Sequence, residues 1–136
     1  DEINWLDWER KHRHRDVFEY YRGLIALRKA HPAFRLGTAE EVRHHLRFLP
    51  TTEGVVAYTL RDHANGNPWK TIVVIFNANC EAVKVDLPGQ DWVVVVDGNR
   101  AGTTMLRQLE GDLVSVPARS ALILVDGASY RAGSCS

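Results

Sequence analysis

The spacing of apolar positions changes character near residue 50. Before it, apolar residues recur with helical spacing. Val17, Tyr20, Tyr21, Leu24 and Leu27 form a stripe, widened by Phe18 and Ile25, with Glu19, Arg22, Arg28 and Lys29 on the polar side. Asp16-Val17-Phe18-Glu19 has the form of a capping box, and Pro32 disfavours helical geometry in the residue before it. The pattern therefore predicts a helix from Asp16 to His31. That helix carries more apolar surface than one small sheet face needs, as expected of a helix held between two bodies. A second capping box, Thr38-Ala39-Glu40-Glu41, predicts a short helix to about Leu46, with Val42, Leu46 and Leu49 inward.

After residue 50 the pattern is that of strands. Residues 71–76 and 92–96 are continuous apolar runs, as in strands covered on both faces, whereas 81–87 alternates, with Val83, Val85 and Leu87 inward. Residues 55–61, 105–109, 113–116 and 121–125 complete the set. His63-Ala64-Asn65-Gly66-Asn67-Pro68 reads as a loop or hairpin connection, Asn77-Ala78-Asn79 as a turn, and Glu110-Gly111-Asp112 as a hairpin between its flanking strands. The expected fold is mainly β: an antiparallel β-sandwich preceded by one long and one short α-helix.

Composition narrows the function classes. The chain has 136 residues, 45% of them hydrophobic and 25% charged, an ordinary globular composition sufficient for one domain with its own core. Seventeen basic and seventeen acidic side chains cancel. Zero net charge gives no support to nucleic-acid binding, and no apolar run approaches the length of a membrane span. The N-terminus, Asp1-Glu2-Ile3-Asn4-Trp5, is not a signal peptide and lacks an initiator Met, so the chain reads as a piece of something longer. Cys80 and Cys135 do not settle the redox compartment, and a bridge between them stays open.

Candidate chemistry is sparse. Asp1, Glu2, Asp7 and Glu9 cluster, but they read as a solvated acidic segment preceding a helix rather than as a carboxylate pair for glycoside hydrolysis. His12, His14, His31, His44, His45 and His63 lack the spacing of a metal site and read as surface histidines. Ser120 and Cys80 have no partner arrangement of a nucleophile, and no phosphate-binding glycine loop is present. Neither a cofactor nor a metal is implied. Of the four tryptophans, Trp92 opens an apolar strand and belongs in the core, while Trp5 and Trp8 could share a packing face. Trp69, beside Pro68 at a loop-to-strand junction, is the best candidate of the four for an exposed platform on which a sugar could stack, although packing is its more ordinary reading.

The segments Asp1-Glu2-Ile3-Asn4-Trp5-Leu6-Asp7-Trp8 and Val17-Phe18-Glu19-Tyr20-Tyr21-Arg22-Gly23-Leu24-Ile25-Ala26-Leu27-Arg28-Lys29-Ala30-His31-Pro32-Ala33-Phe34 resemble the C-terminal end of type I pullulanases, debranching enzymes of the α-amylase superfamily. The likeness continues through Asp62-His63-Ala64-Asn65-Gly66, Ile72 to Asn79, Trp92 to Gly98 and Val116 to Leu122. The resemblance implies that residues 1–49 hold the last loop and helix of a (β/α)8 barrel plus a connecting helix. Residues 50–136 would then form the C-terminal sandwich. It implies a non-catalytic domain that stabilises the catalytic barrel of an α-1,6-glucan hydrolase, because the family's catalytic carboxylates lie upstream. The barrel is thus the expected partner. Asp1 matches an aspartate that the family's last loop brings to the substrate cleft in an Asp-x-x-x-Arg pattern, although Trp5 stands where the arginine would be. The candidate substrate-binding residues are therefore Asp1 and Trp69. Alternatives are an autonomous α-glucan-binding module and a fragment that forms homo-oligomers through its apolar helix face.

Overall fold

The computed structural model describes residues 15–134. Helix α1 (Arg15–Ala30) leads into a 3-10 turn (Pro32–Arg35) and helix α2 (Ala39–His45). Strands β1 (Leu46–Phe48) and β2 (Val55–Leu60) follow, then a 3-10 turn (Ala64–Gly66), β3 (Ile72–Asn77), β4 (Val83–Asp86) and β5 (Asp91–Val96). Strands β6 (Arg107–Glu110), β7 (Leu113–Val116) and β8 (Ser120–Asp126) precede helix α3 (Gly127–Ser134). One sheet has six strands in the order β1-β2-β3-β8-β5-β6, the other pairs β4 with β7, and every pairing is antiparallel.

The continuous apolar runs become the strands covered on both faces. In β3, Ile72 and Val74 point into a cluster on the helix side, while Val73 and Ile75 point between the sheets. Strand β8 divides likewise, with Ile123 and Val125 toward the helices and Leu122 and Leu124 toward the small sheet. Trp92 lies between the sheets with Val85, Val114 and Val116, as its position in the sequence predicts. The alternation of 81–87 is met too: Val85 and Leu87 are buried while Lys84 and Asp86 are exposed. The molecule thus has three layers, helices on a large sheet on a small one. The expected antiparallel sandwich is borne out.

Four expectations need correction. Helix α1 already includes Arg15, so Asp16 lies inside it rather than at its N-cap. The Thr38 cap does form: its hydroxyl accepts from the Glu41 amide at 3.1 Å, and the Glu41 carboxylate accepts from Gly37 N–H. Helix α2 nevertheless stops at His45, and Leu46 begins an edge strand paired with β2. Val42 is exposed, while Leu46 and Leu49 reach the cores from extended backbone. Finally, Glu110-Gly111-Asp112 does not close a hairpin, because β6 pairs with β5 and β7 with β4. The turn carries the chain from one sheet to the other, held by Gly111 N–H to Gln90 O at 2.9 Å and Leu87 N–H to Asp112 O at 2.6 Å.

Helix α3 lies in a segment for which no helix was expected. Asp126 caps it, accepting from Ser129 N–H at 3.1 Å. An Arg131–Asp91 ion pair ties it to β5.

Candidate functional site

Trp69 is not a platform. Its ring is 5% exposed and stacks on His31 with ring centroids 3.4 Å apart, while Tyr130 of α3 packs against it at 5.9 Å. So enclosed a ring offers no face to a sugar: packing, the more ordinary of the two readings of Trp69, is what the structure gives, and its candidacy as a platform is corrected. The burial has a polar frame. Asn67 Oδ1 accepts from the Trp69 backbone N–H at 2.9 Å and lies 3.0 Å from His31 Nδ1. An oxygen already accepting one bond can only accept another, so Nδ1 carries the proton of neutral His31. His31, read as a surface residue, is thus a core residue at 7% exposure. Burial lowers its pKa from the ordinary value, and the bond to Asn67 offsets only part of that.

The loop beside it is also structural. Asp62, His63 and Asn65 take positive φ, and Gly66 continues the left-handed turn at +75°. That backbone aims Asn65 Nδ2 at the carbonyls of Pro32 and Arg35, at 3.0 and 3.3 Å. The loop therefore latches the helical segment to the sheet rather than presenting amides to a ligand. Ser120 Oγ donates to Pro117 O at 2.7 Å, a turn contact. Cys80 is exposed. Asp1, the acidic N-terminal cluster, Trp5, Trp8, His12, His14 and Cys135 lie outside the described residues. Among the described residues no cluster of three or more His, Cys, Asp or Glu could hold a metal. No helix described is long and apolar enough to cross a membrane.

What remains is a surface. Helix α1 presses Tyr20, Leu24 and Leu27 onto the large sheet, and Leu27 is 2% exposed. Tyr20 Oη donates to Asp97 O at 2.8 Å, and burial, ahead of nearby Asp97, raises its pKa. Gly23 allows the helix to come this close: a Cβ there would run into the backbone carbonyl of Ala101. The opposite flank is about half exposed to solvent. Val17, Phe18, Tyr21 and Ile25 are 50%, 49%, 60% and 55% exposed. At 100° per residue they fall in one stripe, turned away from the flank that meets Ala101. The helix is apolar on two sides and the sandwich covers one of them.

Comparison with known proteins agrees. Residues 42–100 match the family model described as the pullulanase all-beta domain. Over those residues the chain is similar to the all-β domain of pullulanases. It is 44% identical over 88 residues to the pullulanase of Bacillus subtilis (strain 168), covering 65% of this chain and 12% of that protein. Its fold superposes on the pullulanase from Bacillus acidopullulyticus with a TM-score of 0.84 at 41% identity, over 88% of this chain and 15% of the other. A pullulanase from Paenibacillus barengoltzii, solved in complex with maltohexaose and alpha-cyclodextrin, gives 0.77 at 46% identity, over 93% and 19%. The resemblance to the C-terminal region of pullulanases is borne out. The chain spans less than a fifth of the length of each of these relatives.

Proposed function

We propose that this chain is the non-catalytic C-terminal region of an α-1,6-glucan debranching glycoside hydrolase acting on starch or pullulan, and that it stabilises the parent's catalytic barrel. Residues 1–49 are the end of the barrel and residues 50–136 the sandwich that closes over it. The observation that carries the reading is the two-sided helix. Helix α1 is the barrel's last helix, with Tyr20, Leu24 and Leu27 on the sandwich and Val17, Phe18, Tyr21 and Ile25 toward the barrel. A contiguous apolar stripe of this size is costly in water and marks a covered surface.

The test is to incubate the purified chain with pullulan and run it in native gels with and without pullulan or amylopectin. No release of reducing sugar and unchanged mobility are expected. Sugar release would overturn the reading, and retardation would make the sandwich a glucan-binding module in its own right. The same exposed stripe supports a second property: deprived of its barrel, the chain pairs with a copy of itself. Light scattering that finds only monomer at every concentration would contradict that.

A further inference from the structure

We propose that Asn65–Gly66 is a self-modification site: Asn65 deamidates through a cyclic imide, and the latch it makes onto the helical segment both slows that reaction and is destroyed by it. The chain has six asparagines, and Asn65 alone is followed by glycine. The reaction needs the next residue's amide nitrogen to reach the asparagine Cγ, and a side chain on that next residue obstructs the approach. Gly66 has none, and no atom beyond its chain neighbours lies within 4 Å of where a Cβ would sit. Both residues are exposed, so water reaches them. The other described asparagines are worse placed. Asn67 precedes Pro68, which has no N–H to give up. Asn77 is 3% exposed and shares its Nδ2 among three carbonyls. Asn79 and Asn99 are followed by Cys80 and Arg100, and Asn79 Nδ2 is bonded to Glu53 O at 3.0 Å.

The folded loop restrains every part of this reaction. The leaving group, Asn65 Nδ2, donates to Pro32 O and Arg35 O at 3.0 and 3.3 Å. The nucleophile, Gly66 N, donates its proton to His63 O at 2.9 Å. Asn65 itself is held in the left-handed region at φ 54° and ψ 31°, and the five-membered imide needs a different ψ. Cyclisation therefore follows local opening of the loop. Gly66 N then attacks Asn65 Cγ. The new N–Cγ bond replaces the Cγ–Nδ2 bond, and Nδ2 leaves as ammonia with the proton that Gly66 N gives up. Water opens the imide at one of its two carbonyls, returning a proton to the nitrogen. Opening at Cγ leaves an aspartate; opening at the main-chain carbonyl leaves an isoaspartate, with the chain running on through Cγ. Nothing is oxidised or reduced. Neither product restores the latch, because a carboxylate only accepts and faces two carbonyl oxygens. The neighbouring Arg35 has its Nε engaged with Arg28 O at 3.1 Å. The 3-10 turn Pro32–Arg35 thus loses its tie to the loop for good, and the life of the latch is a rate rather than an equilibrium.

The test is to age the whole chain at mildly alkaline pH, folded in buffer or unfolded in urea. The tryptic peptide of residues 62–70 is followed by mass spectrometry for amide-to-acid conversion, with fragment spectra placing the change, and by enzymatic methylation for isoaspartate. Hydrogen exchange of residues 31–36 is compared in the fresh chain, the aged chain and Asn65→Asp. Asn65 is expected to convert ahead of Asn77, Asn79 and Asn99, giving isoaspartate together with aspartate. Folding should slow the conversion roughly ten-fold or more. Residues 31–36 should exchange faster in the aged chain and in Asn65→Asp than in the fresh chain. Earlier conversion at another asparagine overturns the assignment of the site. Aspartate without isoaspartate overturns the imide route. Equal rates in buffer and urea, or unchanged exchange in the aged chain, overturn the role of the latch.

Discussion

Replacing Gly23 by Ala sets two effects of opposite sign against each other. In a helix interior this change ordinarily stabilises, by about 0.8–1 kcal/mol of propensity. Gly23 sits where α1 meets the 97–101 turn, and its added Cβ would meet the Ala101 carbonyl, which is backbone and cannot swing aside. The helix must lift or the turn must shift. Overpacking of this kind costs about 1–3 kcal/mol. A lifted helix also loosens the bond from Tyr20 Oη to Asp97 O, worth about 0.5–1.5 kcal/mol. The costs outweigh the propensity gain, so Gly23→Ala is expected to lower stability by about 1–3 kcal/mol. Urea denaturation followed by tryptophan fluorescence reads it directly, as a lower midpoint with an unchanged slope. A midpoint raised by an amount matching the propensity gain would show that α1 is not seated on the sandwich as described.

Three further outcomes are expected. His31 is buried neutral, so its folded pKa lies below the ordinary 6.5 and the unfolded chain takes up the proton first as pH falls. Its contribution to stability is complete above pH 6.5 and declines below it; a urea midpoint that falls no more steeply on acidification than that of His31→Gln would refute this. Asn77 is 3% exposed; its Nδ2 donates to Glu81 O, Val116 O and Pro117 O at 3.0–3.2 Å, and its Oδ1 accepts from Asn79 N–H. Asn77→Ala should cost about 1–3 kcal/mol by leaving those groups unpaired, measured by thermal melting, and a melt unchanged from wild type would count against the assignment. Trp69→Ala should cost about 3–5 kcal/mol, as emptied core sites do, with no change of mobility in glucan-containing gels. A folded Trp69→Ala chain whose glucan retardation differs from the wild type's would return the residue to a binding role.

The large strands were legible because burial on both faces leaves an unbroken apolar run, as in 71–76 and 92–96. The two-sided character of α1 was legible for the same reason, since its apolar residues exceed one stripe. What escaped depended on partners distant in the chain. Trp69 follows a polar loop, which leaves a platform open beside packing and hides the His31, Asn67 and Tyr130 that close around it. Strand β1 is three residues long, follows two histidines and pairs only because β2 returns beside it. Helix α3 contains two glycines and two serines, weak helix formers, and is held by the Asp126 cap and by Tyr130 packing against Trp69. The Asp126-Gly-Ala-Ser129 spacing is the one local signal that could have revealed it. The turn at 110–112 has hairpin chemistry, and nothing local distinguishes pairing within a sheet from crossing between sheets.

The central proposal is that the exposed stripe of α1 exists to hold a barrel. Its most direct test is thermal inactivation of the parent enzyme carrying Tyr21→Arg and Ile25→Arg, beside urea unfolding of this chain with the same changes. Both side chains are more than half exposed here, so the short chain, diluted until it is monomeric, should keep its stability within about 0.5 kcal/mol. The parent should inactivate at a distinctly lower temperature. Equal inactivation of variant and wild-type parent would contradict the account.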